Sequence, residues 1–231
     1  MNNIELMIKL SKITYTIPAS RTLFKNISAN IPSKNFCIAG VNGSGKSTLM
    51  KIICGILAPT SGNVKFSNEV LSTNKIPDIG YCSQFSSWMT GVKVKSLLIL
   101  FARIHSLELQ NIENHQLYTQ LKIDSIVNIF TTSLSGGQSR RLTIFLCLFF
   151  NPSIAFMDEP FNDIDNREQL IKTIKEYCSA HSIKIVLIAH SPYELTQLTS
   201  CGFFIEENSK SLKILPVSAI KRKIMEKMKL M

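Results

Sequence analysis

The sequence predicts an α/β fold: a mostly parallel sheet core, an N-terminal antiparallel β part, and a helical subdomain inserted into the core. Three observations carry this expectation. A short apolar run, Phe36-Cys37-Ile38-Ala39, leads straight into a glycine-rich loop, Gly40 to Thr48, and then into helical periodicity. Further on, Ile154-Ala155-Phe156-Met157, a helix over Arg167 to His181 and the run Lys184 to Ala189 alternate as strand, helix and strand, which implies parallel pairing. Ahead of the glycine loop, Leu6, Ile8 and Leu10, then Ile13, Tyr15 and Ile17, alternate at the period of a half-buried strand.

The remaining elements follow along the chain. Ser28 to Ile31 reads as a second strand entering a turn at Pro32-Ser33-Lys34-Asn35. Leu49, Ile52, Ile53 and Ile56 put a helix over Ser47 to Leu57, and Pro59-Thr60-Ser61-Gly62 ends it. Asn74-Lys75-Ile76-Pro77-Asp78 reads as a turn, being too long by a residue for the guanine-specific spacing Asn-Lys-x-Asp. Over about residues 85–135 the pattern turns helical, with Val94, Leu97, Leu98, Phe101, Ala102 and Ile104 marking one helix of the inserted subdomain. Gly137 to Phe150 reads as a core helix, and a strand pair near Cys201 to Leu215 precedes a basic helix over 217–231. With no repeat or linker composition, residues 1–231 read as a single domain.

Hydrophobic residues make up 45% and charged residues 18%, a balance that buries a core and excludes a disordered chain. Much of the net charge of +10 sits in Lys221-Arg222-Lys223, Lys227 and Lys229. No basic and aromatic residues interleave, so nucleic acid is not an expected partner. The six cysteines stand apart, with no CxxC pair and no histidine at ligand spacing, which reads as reduced thiols without a zinc or haem site. The most apolar stretch, Leu142 to Met157, is interrupted by Asn151-Pro152 and falls short of the ~20 residues of a spanning helix. Met1 to Lys12 reads as no secretory signal.

Gly40-Val41-Asn42-Gly43-Ser44-Gly45-Lys46-Ser47-Thr48 fits G-x-x-x-x-G-K-[ST], the phosphate loop of P-loop NTPases, in the required setting of strand, loop and helix. Wrapping a polyphosphate takes successive backbone N–H groups and glycines where the backbone comes close. Gly40, Asn42, Gly43, Ser44, Gly45, Lys46, Ser47 and Thr48 are therefore the expected nucleotide-binding residues, with ATP as ligand. Lys46 reaches the terminal phosphates and the Ser47 hydroxyl serves as a ligand for Mg²⁺. The strand ending in Asp158-Glu159 supplies two carboxylates at the edge where parallel strands meet their ligands. Asp158 is placed to hold Mg²⁺ and Glu159 to act as general base on the attacking water.

Leu134-Ser135-Gly136-Gly137-Gln138 reads, by physics alone, as a helix N-terminus capped by Ser135. The pentapeptide also matches the signature of the ATP-binding cassette (ABC) family, and other motifs fall in order around it. Gln84, in Tyr81-Cys82-Ser83-Gln84, resembles the family's glutamine loop, which lies at the metal site and couples it to the partner. Asp165, in Asn162-Asp163-Ile164-Asp165, matches the end of the dimer-contacting loop, although Asp163 stands where a small residue is usual. His190 resembles the switch histidine, and Tyr15 the aromatic residue that stacks on adenine.

The resemblance to an ABC nucleotide-binding domain implies an ATPase in which two cassettes close head to tail over two ATP molecules. Leu134 to Gln138 would then act in trans on the nucleotide held by the other copy. It implies a second copy or a related cassette as partner, and separate polytopic membrane subunits docking near Phe85 to Leu109. The chain would lie peripherally, on the cytoplasmic or organelle-matrix face of a membrane. Thr90 to Leu107 resembles the corresponding helix of exporter-type members, and Asp158-Glu159-Pro160 with Ile164-Asp165 resembles the haem-exporter ATPase of cytochrome c maturation. The alternative class is a soluble ABC ATPase without a pore, such as the iron–sulfur assembly ATPase.

Overall fold

The computed structural model describes residues 8–18, 21–66, 78–84, 87–206 and 212–228. In chain order the elements are β1 (Ile8–Thr16), β2 (Thr22–Ile31), β3 (Phe36–Gly40), α1 (Lys46–Ile53), β4 (Ser61–Phe66), β5 (Ile79–Cys82), α2 (Val94–Ile104), α3 (Leu109–Glu113) and α4 (Gln116–Gln120). They continue with α5 (Gly136–Leu148), β6 (Ile154–Asp158), α6 (Arg167–Ala180), β7 (Lys184–Ile188), α7 (Pro192–Leu198), β8 (Cys201–Ile205), β9 (Ile214–Pro216) and α8 (Val217–Met228). Among the described residues the strands form a three-stranded antiparallel sheet, β2-β1-β4, and a six-stranded sheet, β5-β6-β7-β3-β8-β9. The larger sheet is parallel except for β9, which runs antiparallel to β8 at the edge.

The apolar parity of β1 changes between Leu10 and Ile13, which explains the two alternating sets in the sequence. A register shift with Lys12 at φ 52° re-aims the strand, so Ile8, Leu10 and Ile13 are all buried. Leu6 lies outside the described residues. In the parallel sheet both faces are covered, as continuous apolar runs require. Phe36, Ile38, Phe156, Val186 and Ile188 share one core with β1, β2 and α1. Cys37, Ala39, Ala155, Met157, Ile185 and Leu187 share the other with α5, α6 and the inserted helices.

Several boundaries move from the expected ones. α1 stops at Ile53 instead of Leu57, and β4 begins at Ser61, inside the turn expected to end that helix. β2 runs back to Thr22, well before Ser28. β5 and α7 were not expected; each is short, and α7 opens on Ser191-Pro192, which reads as punctuation. Among the described residues, the region between β5 and α5 holds three helices and two single 3-10 turns, closed on itself by a bridge between Lys93 and Phe130. Asn74 to Pro77 of the expected turn, Phe85, and residues 229–231 lie outside the described residues. Among the described residues no helix is long and apolar enough to cross a membrane.

Because β3, β5, β6 and β7 run parallel, their carboxyl ends share one edge of the sheet. The strand order therefore gathers the glycine loop after β3, Gln84 after β5, Asp158 at the end of β6 and His190 after β7.

Candidate functional site: a phosphate loop facing a clamped glutamate

The glycine loop leaves β3 and enters α1 at Lys46. Gly45 sits at φ 92°, and a Cβ there would stand 2.8 Å from Cζ of Phe24, so the loop is seated directly on β2. Lys46 is 7% exposed, and its Nζ donates to the carbonyls of Gly40 at 3.2 Å and Val41 at 3.0 Å. Burial lowers the pKa of this ammonium, while the carboxylates of Glu159 and Asp158 oppose the fall. Arg21 reaches across from the start of β2 and donates from Nη2 to the Gly43 carbonyl at 3.1 Å.

Asp158 is 1% exposed, and burial lifts its carboxyl above the ordinary carboxylate range. The Ser47 hydroxyl opposes that rise, yet neither carboxylate oxygen completes a hydrogen bond. Ser44 Oγ is likewise buried without a partner. Buried oxygens left unpaired are costly. Two carboxylate oxygens beside a hydroxyl form an all-oxygen donor set, the kind a hard divalent cation takes. The residues present therefore fit Mg²⁺.

Glu159 follows at φ 50°, an uncommon conformation for this residue, fixed by its N–H donating to the Ile188 carbonyl at 2.9 Å. Its carboxylate is held from three sides. His190 Nε2 meets Oε1 at 2.9 Å, while Gln84 Nε2 at 3.1 Å and Asn162 Nδ2 at 2.8 Å both donate to Oε2. An ionised carboxylate only accepts, so the proton of the histidine contact sits on Nε2. The His190 side chain is 46% exposed and that of Glu159 10%, so the pair has one buried and one open end.

A cavity of about 600 Å³ lies over this constellation, lined by Ile17, Arg21, Leu23, Asn42, Gly43, Gly45, Lys46, Ser47, Thr48, Gln84, Glu159 and His190. Tyr15 does not line it. That residue pairs with Phe24 in the antiparallel sheet and packs on its core, and Ile17, just past the end of β1, lines the cavity instead. The adenine-stacking expectation for Tyr15 is thus corrected: the apolar side chains available to a base are Ile17 and Leu23. Gly40, Ser44 and Asp158 also stand off the cavity wall, as the end of β3, a buried loop position and the end of β6.

Leu134 to Gln138 lie elsewhere. Ser135 caps α5, its Oγ accepting from the Gln138 N–H at 3.2 Å while Gln138 Oε1 accepts from the Ser135 N–H at 2.9 Å. Ser135 and Gly136 are exposed, and none of the five residues lines the cavity. Asp165 is exposed too, its carbonyl accepting from Arg141 Nη2 at 3.1 Å. The signature helix is in turn tied to the glutamine segment. Arg140 Nη1 donates to the Ser83 carbonyl at 2.7 Å, and Trp88 Nε1 to Ser139 Oγ at 2.6 Å.

The known proteins that this chain resembles fall into one family. A family model described as ABC transporter matches residues 24–162. The ergothioneine transport ATP-binding protein EgtV of Helicobacter pylori (strain G27) is 31% identical over 189 residues, covering 78% of this chain and 89% of that protein. A candidate hemin import ATP-binding protein, HrtA of Staphylococcus haemolyticus (strain JCSC1435), is 28% identical over 200 residues, covering 80% and 90%. A dimeric structure of a bacterial ABC transporter cassette has the same fold, with a TM-score of 0.76 at 20% identity, covering 91% of this chain and 98% of that one. The chain belongs to the ABC transporter ATP-binding family, whose members hydrolyse ATP to drive transport. It is an ATP-binding cassette of the P-loop NTPase fold.

Proposed function

We propose that this chain powers a transporter by pairing with a second copy or a related cassette and docking on separate membrane subunits at the membrane surface. One observation carries the reading. Lys46, Gln84, Asp158, Glu159 and His190 converge at one sheet edge, while Ser135 and Gly136, exposed at the start of α5, stand off the cavity over that edge. Half of a phosphate site is thus displayed separately from the other half, which favours completion by another cassette.

ATP lies with its phosphates along Gly43 to Thr48 and its base toward Ile17 and Leu23. Lys46, released from the carbonyls of its own loop, turns its charge to the terminal phosphates. Glu159 accepts the proton of the attacking water, and His190, Gln84 and Asn162 hold its two oxygens against rotation. Ser47, Asp158 and Gln84 are the residues that would hold Mg²⁺, which when bound supplies charge neutralisation at the β- and γ-phosphates.

A groove of about 370 Å³ beside Trp88, Phe101, His105, Leu146 and Phe150 supports docking of a membrane subunit on this flank. The same Trp88 is bonded to the signature helix, so a load in the groove is felt at α5. For direction, Thr90 to Leu107 favours export, whereas the name of HrtA favours import. Transport of a labelled cargo in inside-out vesicles decides between the two. The function itself is tested by ATP turnover and by pull-down from detergent-solubilised membranes. Wild-type turnover lost in Lys46→Ala, together with recovery of a polytopic membrane protein, is the expected result. Turnover with soluble partners only would overturn the transporter reading in favour of a soluble ABC ATPase.

A further inference from the structure

Glu159 is gripped by two segments that sequence separates. One is the loop after β6, which contributes Asn162 to Oε2; the other is the turn after β7, which contributes His190 to Oε1. Each segment leads directly into a helix: the first into α6 at Arg167, the second into α7 at Pro192. Just past those starts, Arg167 Nη2 pairs with Glu194 Oε1. The side chain of Glu194 is 1% exposed and that of Arg167 38% exposed, so the bond is shielded at the carboxylate end. The covalent chain and these three contacts form a closed ring: Glu159, Asn162, Arg167, Glu194, His190 and back to Glu159.

Neither Arg167 nor Glu194 lines the cavity. A buried carboxylate with one cationic partner is costly to keep and gives little net stability. Its place in the ring gives it a task. We infer that Arg167 and Glu194 are positioning residues for hydrolysis: they tie together the two segments that clamp Glu159 and so fix the direction of its carboxylate. The loop from Asn162 to Arg167 is also where Arg141 of the signature helix takes hold, at the Asp165 carbonyl. A shift of α5 is then transmitted through Arg167 and Glu194 to the His190 side of the clamp. This inference rests on the reading of Glu159 as general base.

The test is single-turnover and steady-state ATP hydrolysis by Glu194→Gln and Arg167→Lys, each also made on Asn162→Ala, with thermal melting alongside. Positioning predicts a kcat lowered roughly tenfold, since small misplacement of a reacting group is expensive, with KM for ATP unchanged. On the Asn162→Ala background the first segment no longer reaches the carboxylate, so either change should add a smaller loss than it causes alone. If Glu194→Gln fails to fold, Arg167→Lys carries the test alone, because it keeps the charge on a half-exposed side chain. Unchanged kcat, or equal losses on both backgrounds tracking the melting temperature, would overturn the inference. Absence of turnover in the wild-type protein would instead sink the reading of Glu159 on which it stands.

Discussion

At the scale of single residues, the site combines one strained, well-held carboxylate with one buried, unheld one. Asp158 carries the cost of desolvation at neutral pH. Its folded pKa is raised, so the native state keeps the proton to higher pH than the unfolded chain, and stability falls as pH rises from about 3.9 through the folded value. Asp158→Asn removes that penalty. It should raise the melting temperature at pH 7, with the gain shrinking as the pH is lowered toward the carboxylate range, while turnover falls on the order of 10²-fold. Melting curves and ATP hydrolysis across that pH range check both halves. Ile17 and Tyr15 form a second contrast. Ile17→Ala should raise KM for ATP several-fold with little change in stability. Tyr15→Ala should do the reverse, because its ring packs on the antiparallel core instead of the cavity. Nucleotide titration and melting of the two variants separate them.

At the scale of elements, what the sequence disclosed depended on how local the cause was. The glycine loop, the run ending in Asp158-Glu159 and the Ser135 cap are each written in consecutive residues, and their backbone forms follow from those residues alone. Asn162, Arg21 and the pair of Arg167 with Glu194 were legible only as ordinary polar residues, since their partners come from other strands and loops. Tyr15 is a related case: register shifts along β1 seat its ring on the antiparallel core and leave Ile17, past the strand end, on the cavity wall, and those shifts depend on pairing with β2 and β4. β5 and α7 escaped notice because four and seven residues are too few for a periodicity to declare itself. Two tests belong here. Ser135→Ala removes the capping box of α5 and should cost about 1 kcal/mol of stability, read by denaturant titration. Gly137→Ala would place a Cβ 2.9 Å from the Asp163 carbonyl, so the loop carrying Asn162 must give way, at roughly 1–3 kcal/mol. Its turnover should fall further than that of Ser135→Ala, because the displaced loop also feeds the clamp on Glu159.

At the scale of the whole molecule, parallel strand order does the gathering. Four strands end at one edge and deliver the phosphate loop, the two carboxylates, the glutamine and the histidine, while the exposed cap of the signature helix lies off the cavity over them. On the proposed reading the first edge holds nucleotide and the exposed cap completes the site of another cassette, which must bring the two together. The most direct measurement is the mass of Glu159→Gln in solution, by sedimentation or light scattering, as ATP with Mg²⁺ is added. With hydrolysis blocked, the account predicts a monomer that becomes a dimer as ATP saturates, and no such change when Lys46→Ala is combined with it. A monomer at every ATP concentration, or a dimer whose amount ignores ATP, would contradict closure over nucleotide between two copies of this chain.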